Sequence, residues 1–172
     1  VKLFLFGEKI GDANSSKNLL FSSKGHDAPG QYAVLHAFGL LSDDDLFKLR
    51  RLDGLPGHPE VGIATIPTNT GSLGMGISKA KGLAMAKKYE AQKCKIVVIL
   101  GDGELQEGQI WEAAMYAAAN KVDNIIATID YNGRQIDGDV EEVLSLGDLK
   151  GKWQAFGWEV LEMNGNNFES IR

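Results

Sequence analysis

Ile96-Val97-Val98-Ile99-Leu100-Gly101-Asp102-Gly103-Glu104-Leu105-Gln106-Glu107-Gly108 is an apolar run that breaks on an aspartate set between glycines. A short aliphatic run ended by a turn reads as a buried strand. The alanine-rich segment Ile110 to Asn120 follows, with Trp111, Ala114, Met115 and Ala118 at helical spacing. A second apolar run, Ile125-Ile126-Ala127-Thr128-Ile129, then leads into Asp130-Tyr131-Asn132-Gly133. Strand, turn, helix, strand and turn make one βαβ unit, and it places Asp102 and Asn132 together at the carboxyl edge of a parallel sheet. A carboxylate, an amide oxygen and nearby glycines suit Mg²⁺ carrying a diphosphate. That ion takes few protein oxygens and completes its octahedron with phosphate and water.

Other glycine motifs fit less well. Gly101, Gly103 and Gly108 lack the spacing of the dinucleotide fingerprint, and no Gly-Lys-Ser/Thr closes a Walker A loop. Gly71-Ser72-Leu73-Gly74-Met75-Gly76 runs in the wrong order for a dinucleotide site. A lone Gly-Asp-Gly is usually a tight turn; the flanking strands and Asn132 favour the ligand-binding reading.

The chain has 172 residues, 44% hydrophobic and 24% charged, enough for a single domain, residues 1–172, with its own core. A formal charge of −5 and the absence of basic runs argue against a nucleic-acid surface. The single cysteine, Cys94, excludes an internal disulfide and, with no secretory apolar segment, fits a reducing cytoplasm. No apolar run approaches the ~20 residues that cross a bilayer. Val1-Lys2-Leu3-Phe4-Leu5-Phe6 opens without a methionine, and the chain stops where a helix begins at Phe168, so both ends read as truncated.

The remaining pattern alternates. A helix is expected from about Pro29 to Phe38, with Tyr32, Leu35 and His36 on its apolar side, and His36 reads as structural. Ser42 caps a second helix whose first turn carries Asp43, Asp44 and Asp45, where the helix dipole favours anions. Further helices are expected over Ser72–Tyr89, from Gln109, and near Asp148–Phe156, with strands at Lys95, Asn124 and Glu159–Met163. This order implies an α/β fold, a doubly wound parallel sheet with helices on both faces.

Among residues that could carry chemistry, His26 stands on a loop opening a helix, placed either to donate to a diphosphate or sugar hydroxyl or to pack at the sheet edge. His58, between Gly57 and Pro59, either projects from a rigid loop or is a solvated turn histidine. Glu107 and Glu112 near a helix start are ordinary dipole partners. Glu104 reads as a turn residue. Gly71 permits close approach because it lacks a Cβ, and Leu73 is equally a core leucine.

Ser22-Ser23-Lys24-Gly25-His26, Leu55-Pro56-Gly57-His58-Pro59-Glu60, Thr70-Gly71-Ser72-Leu73-Gly74-Met75-Gly76-Ile77-Ser78, the Gly-Asp-Gly segment and Gln135-Ile136-Asp137-Gly138 occur in this order. Together with Trp153-Gln154-Ala155-Phe156-Gly157-Trp158, they resemble the cofactor-binding domain of transketolases. The likeness runs from about Leu19 to Ile171 and is greatest to the N-terminal half of split, two-subunit transketolase-like proteins.

The resemblance implies the thiamine diphosphate-binding fold, thiamine diphosphate with Mg²⁺ as cofactors, and transfer of a two-carbon ketol unit between sugar phosphates in the pentose phosphate pathway. It implies Asp102, Asn132 and the Arg134 carbonyl at the metal. It implies His26, Gly71, Leu73, Asp102, Gly103 and Asn132 at the cofactor. His26, His58 and Glu107 would then be catalytic, His58 at the donor carbonyl oxygen and Glu107, with Glu112, at the subunit interface in a chain of carboxylates.

The glutamate that protonates the aminopyrimidine, and the aromatic residues stacking on it, belong in this family to a C-terminal, pyrimidine-binding domain or subunit. The expected assembly is therefore a homodimer or heterotetramer. An opening Ser-Gly-His-Pro motif and a later histidine of the family are absent from the chain. Other thiamine enzymes, of the 2-oxo acid dehydrogenase or deoxyxylulose-phosphate synthase type, share the Gly-Asp-Gly and Asn features. Gly57-His58-Pro59-Glu60 and Ile136-Asp137-Gly138 are not expected in them. A non-catalytic assembly or regulatory domain of the same fold is the remaining alternative.

Overall fold

The computed structural model describes residues 18–171; the apolar opening at Val1–Phe6 lies outside them. Three parallel strands, β1 (Leu19–Ser22), β2 (Ile96–Gly101) and β3 (Ile125–Asp130), form a sheet in the order β1-β2-β3. Helices α1 (Ala28–Ala37), α2 (Asp43–Phe47) and α3 (Gly76–Tyr89) lie between β1 and β2, and α4 (Gly108–Ala119) connects β2 to β3. A small antiparallel pair, β4 (Arg134–Gln135) and β5 (Gly138–Asp139), follows, then α5 (Val140–Leu144), α6 (Leu149–Ala155) and α7 (Phe168–Ile171). The α/β fold with a parallel sheet is as expected.

The main core joins the sheet to α3, α4 and α6. Ile96, Val98 and Leu100 of β2 are fully buried, as parallel strands covered by crossover helices require. Against them pack Ile77, Ala80 and Ala84 of α3 and Ile110, Ala113, Ala114 and Ala117 of α4. The alanines let α3 and α4 approach closely. Asn124, buried just before β3, donates its amide to the carbonyls of Ala84 and Cys94, at 3.1 and 3.2 Å, and ties the end of α3 to the start of β2. Trp111, Trp153 and Trp158 cluster at the α4–α6 contact, with ring centroids 5.5 Å apart for Trp111–Trp153 and 5.0 Å for Trp153–Trp158.

A second, smaller core of Ala28, Tyr32, Leu35, Leu55 and Ile66 lies under the loop between α2 and α3. The Tyr32 hydroxyl reaches the carbonyl oxygens of Pro56 at 3.1 Å and His58 at 3.2 Å. Burial, with the Glu60 charge adding, pushes its phenol pKa up, so it stays a donor through neutral pH. Tyr32→Phe should cost about 1 kcal/mol and lower the melting temperature by about 2–4 °C in a thermal scan. An unchanged midpoint would mean the loop does not depend on this anchor.

Ser42 caps α2 as anticipated: its hydroxyl accepts from Asp45 N at 3.2 Å, and Asp45 reaches back to Ser42 N at 2.8 Å. Asp148 caps α6 by accepting from Gly151 N at 2.8 Å. His36 is tied to Asp43 at 2.7 Å, in keeping with a structural role.

Three sequence expectations differ. The helix expected from Ser72 begins only at Gly76, because Gly71 (φ 138°) and Gly74 (φ 82°) adopt backbone that cannot continue a right-handed helix. The segment Glu159–Met163 is not a strand: no neighbouring strand pairs it among the described residues, and Leu161 is 85% exposed. On α4 the buried stripe is Ile110, Ala113, Ala114 and Ala117. Met115, placed on the apolar side by spacing, is 54% exposed, one position off the face that α3 covers. The short strand β1 carries no alternation and was not anticipated.

Candidate functional site

The sheet gathers the site at its carboxyl edge. Gly101, the last residue of β2, pairs in register with Asp130, the last of β3. Asp102 and Asn132 therefore leave adjacent strands at the same level. Asp102 is only 2% exposed. Its Oδ1 accepts from Gly103 N at 2.8 Å and its Oδ2 from Gly133 N at 2.6 Å, so one carboxylate fastens both turns. Asn132 is exposed; its Oδ1 accepts from Arg134 N at 2.8 Å, and its amide lies 3.4 Å from Asp130 Oδ2. The Arg134 guanidinium turns away to Asp139, at 3.1 Å. Lys24 Nζ lies 2.8 Å from Asp130 Oδ2, with its stem over Gly101, where a Cβ would come within 2.8 Å of Lys24 Cδ. That ion pair joins the loop after β1 to the end of β3, across the end of β2.

A second group of loops meets beside the first. A Cβ on Gly25 would lie 2.5 Å from Gly71 Cα, and one on Gly71 would lie 2.7 Å from His58 Nδ1. Gly25, His58 and Gly71 are thus in backbone-to-ring contact although they come from three separate loops. His26 follows Gly25 in a single 3-10 turn, Gly25–Asp27, and is exposed. His58 is exposed as well, its main chain held by Tyr32. Leu73 is partly buried, and its carbonyl accepts from Gln109 at the start of α4 at 3.4 Å. Glu107 stands at the N-cap position of α4, exposed and without a side-chain capping bond; a Cβ on Gly74 would lie 2.6 Å from Glu107 Cβ. Glu112 is exposed one turn further along the helix.

Glu104 needs correcting. Read from sequence as a turn residue, it is 3% exposed and makes three contacts. Its Oε1 accepts from Gly74 N at 2.8 Å and from the Ser23 hydroxyl, and its Oε2 accepts from Gly101 N at 3.1 Å. Ser23 Oγ in turn accepts from Gly76 N at 3.1 Å. The available signal was an acid placed inside a glycine turn and directly before Leu105; two of its three donors, Ser23 and Gly74, lie far away in sequence.

Among the described residues, no group of three or more His, Cys, Asp or Glu side chains converges as a metal site. The oxygens in question are one carboxylate, one amide and one main-chain carbonyl, which lie outside such a grouping. They are hard donors on two turns that Asp102 holds together, a set that fits Mg²⁺ rather than a thiophilic metal.

The fold and these loops describe an α/β domain with an oxygen-donor, glycine-lined edge of the kind that holds a phosphorylated cofactor. Residues 14–172 match the family described as transketolase, thiamine diphosphate binding domain, and the chain belongs to that family. It is 45% identical over 150 residues to an apulose-4-phosphate transketolase subunit of Phocaeicola vulgatus, covering 87% of this chain and 53% of that protein. It is 43% identical over 157 residues to a 6-deoxy-6-sulfo-D-fructose transketolase subunit of Clostridium sp., covering 90% and 57%. The structure of transketolase from Campylobacter jejuni superposes with a TM-score of 0.86 at 38% identity, over 91% of this chain and 26% of that one. The chain thus spans little more than half the length of these two subunits.

Proposed function

We propose that this chain is the diphosphate-binding half of a transketolase-like enzyme that transfers a two-carbon ketol unit between sugar phosphates. The observation that carries the proposal is the meeting, at one sheet edge, of the Asp102–Gly133 turn pair with the Gly25–His58–Gly71 cluster. Mg²⁺ is held by the Asp102 carboxylate, the Asn132 amide oxygen and the Arg134 carbonyl. Gly103 would offer its backbone N–H, which here rests on Asp102 Oδ1, to the diphosphate. Thiamine diphosphate supplies the carbanion chemistry; the protein's part is orientation and proton control.

His26 donates to the diphosphate or to a sugar hydroxyl, and Gly71 and Leu73 give backbone and apolar surface to the rings. His58, on a loop fixed at Tyr32 and packed on Gly71, donates to the donor carbonyl oxygen and steers proton transfer there. Glu107 stands at the start of α4, and the same helix exposes Met115, an apolar side chain suited to burial by a partner. The partner is a C-terminal, pyrimidine-binding domain or subunit in a homodimer or heterotetramer, and the setting is cytoplasmic. No helix among the described residues is long and apolar enough to cross a membrane.

Co-expression with a candidate C-terminal half, followed by an assay of ketol transfer from xylulose 5-phosphate with thiamine diphosphate and Mg²⁺, tests the proposal. Tight cofactor binding without turnover on any sugar-phosphate pair would leave an assembly or regulatory role and overturn the catalytic one. In the active complex His58→Ala should lower kcat by about 100-fold and leave cofactor affinity nearly unchanged. Equal losses in both would make His58 a structural residue.

A further inference from the structure

The Glu104 carboxylate reaches both halves of the site. On one side it holds Gly101, the residue that aims Asp102. On the other it holds Gly74, which closes the loop carrying Gly71 and Leu73. Through the Ser23 hydroxyl it also reaches the end of β1 and the first residue of α3, Gly76. These contacts are enclosed, at 3% exposure, and each of these partners faces the carboxylate as a donor. An acceptor-only group with two oxygens is what such a set of donors demands.

We propose that Glu104 is a positioning residue for the cofactor: by joining the Gly101–Asp102 turn to the Gly71–Gly74 loop, it sets the separation between the diphosphate-holding and ring-holding parts of the site. The inference rests on the function proposed above. It also explains how the turn after β2 and the loop that ends at Gly74, about thirty residues apart in sequence, keep one geometry. A glutamine here has one acceptor oxygen and one amino group, so it must oppose the Gly74 or the Gly101 N–H with a donor of its own. An aspartate is a methylene shorter and cannot span both.

The test uses the full chain, alone and with its co-expressed C-terminal half, as wild type, E104Q and N124A. Asn124 ties α3 to β2 outside the site, so N124A serves as a control for lost stability alone. In E104Q, amide exchange at Gly74 and Gly101 should accelerate at least ten-fold, while amides at the centre of β3 change less than two-fold. The apparent KM for thiamine diphosphate should rise at least ten-fold, with kcat at saturating cofactor within three-fold of wild type. N124A should lower the melting temperature and leave that KM unchanged.

If E104Q behaves as N124A does, losing stability with its cofactor KM intact, Glu104 is merely structural and the proposal fails. Unchanged exchange at Gly74 and Gly101 refutes it independently. A wild-type complex that binds no thiamine diphosphate overturns the function proposed above, and the cofactor role of Glu104 with it. The exchange data separate that failure from a failure of the joint itself.

Discussion

Asp102→Ala abolishes Mg²⁺-dependent binding of thiamine diphosphate in calorimetry: this is the largest effect expected of any single substitution in the chain. Two losses combine. The variant lacks the only carboxylate of the proposed metal set. It also leaves the Gly103 and Gly133 amides without the acceptor that joins their turns, at 2.8 and 2.6 Å. Leaving these part-buried donors unpaired costs up to about 1–3 kcal/mol each, so the turns loosen as well as losing their charge. Asp102→Asn keeps one oxygen and should fall between the variant and wild type. An affinity for Asp102→Ala within threefold of wild type would remove Asp102 from the metal.

Gly71→Ala should reduce turnover by about 100-fold, the scale expected when a reacting group is misplaced by ~1 Å. The new methyl would sit 2.7 Å from His58 Nδ1 and 3.1 Å from its Cγ, and the neighbouring Gly25 leaves the backbone no room to retreat. The imidazole must move instead. The residue's φ of 138° adds backbone strain, on the order of 1–3 kcal/mol. A modest fall in melting temperature should therefore accompany the loss of activity. Full turnover in a folded Gly71→Ala protein would show that the His58 ring does not act from this position.

Much of the fold was legible because β2 and β3 are short aliphatic runs that end on glycine or aspartate and flank an alanine-rich helical segment. The cap at Ser42 was legible for a similar reason, since it acts within one helical turn; that of Asp148 on Gly151 came only with the structure. Residues 159–163 misled because apolar content marks a candidate strand, whereas a strand exists only if a neighbour accepts its hydrogen bonds. Glu104 was illegible for a deeper cause. Gly101 is a local partner, but Ser23 and Gly74 are brought to it only by the folded sheet edge. The histidine loops lay between these cases: local sequence showed that Gly57 and Pro59 fix the His58 backbone, but not that its ring rests on Gly71.

The register of β2 against β3 has a consequence for how much variation the site tolerates. Gly101 and Asp130 are ladder partners, so the gap across which Asp102 and Asn132 face each other begins at the spacing of hydrogen-bonded strands, about 4.8 Å. That spacing is a constant of the peptide backbone and does not depend on the connections at the other end of the sheet. The α4 crossover could lengthen or change its surface without altering the gauge of the proposed ion seat. Slippage of β3 by one residue, in contrast, would turn Asp130 over and carry Asn132 out of reach. The width of that seat is thus measured by the sheet, and the loops need only supply the right atoms at its rim.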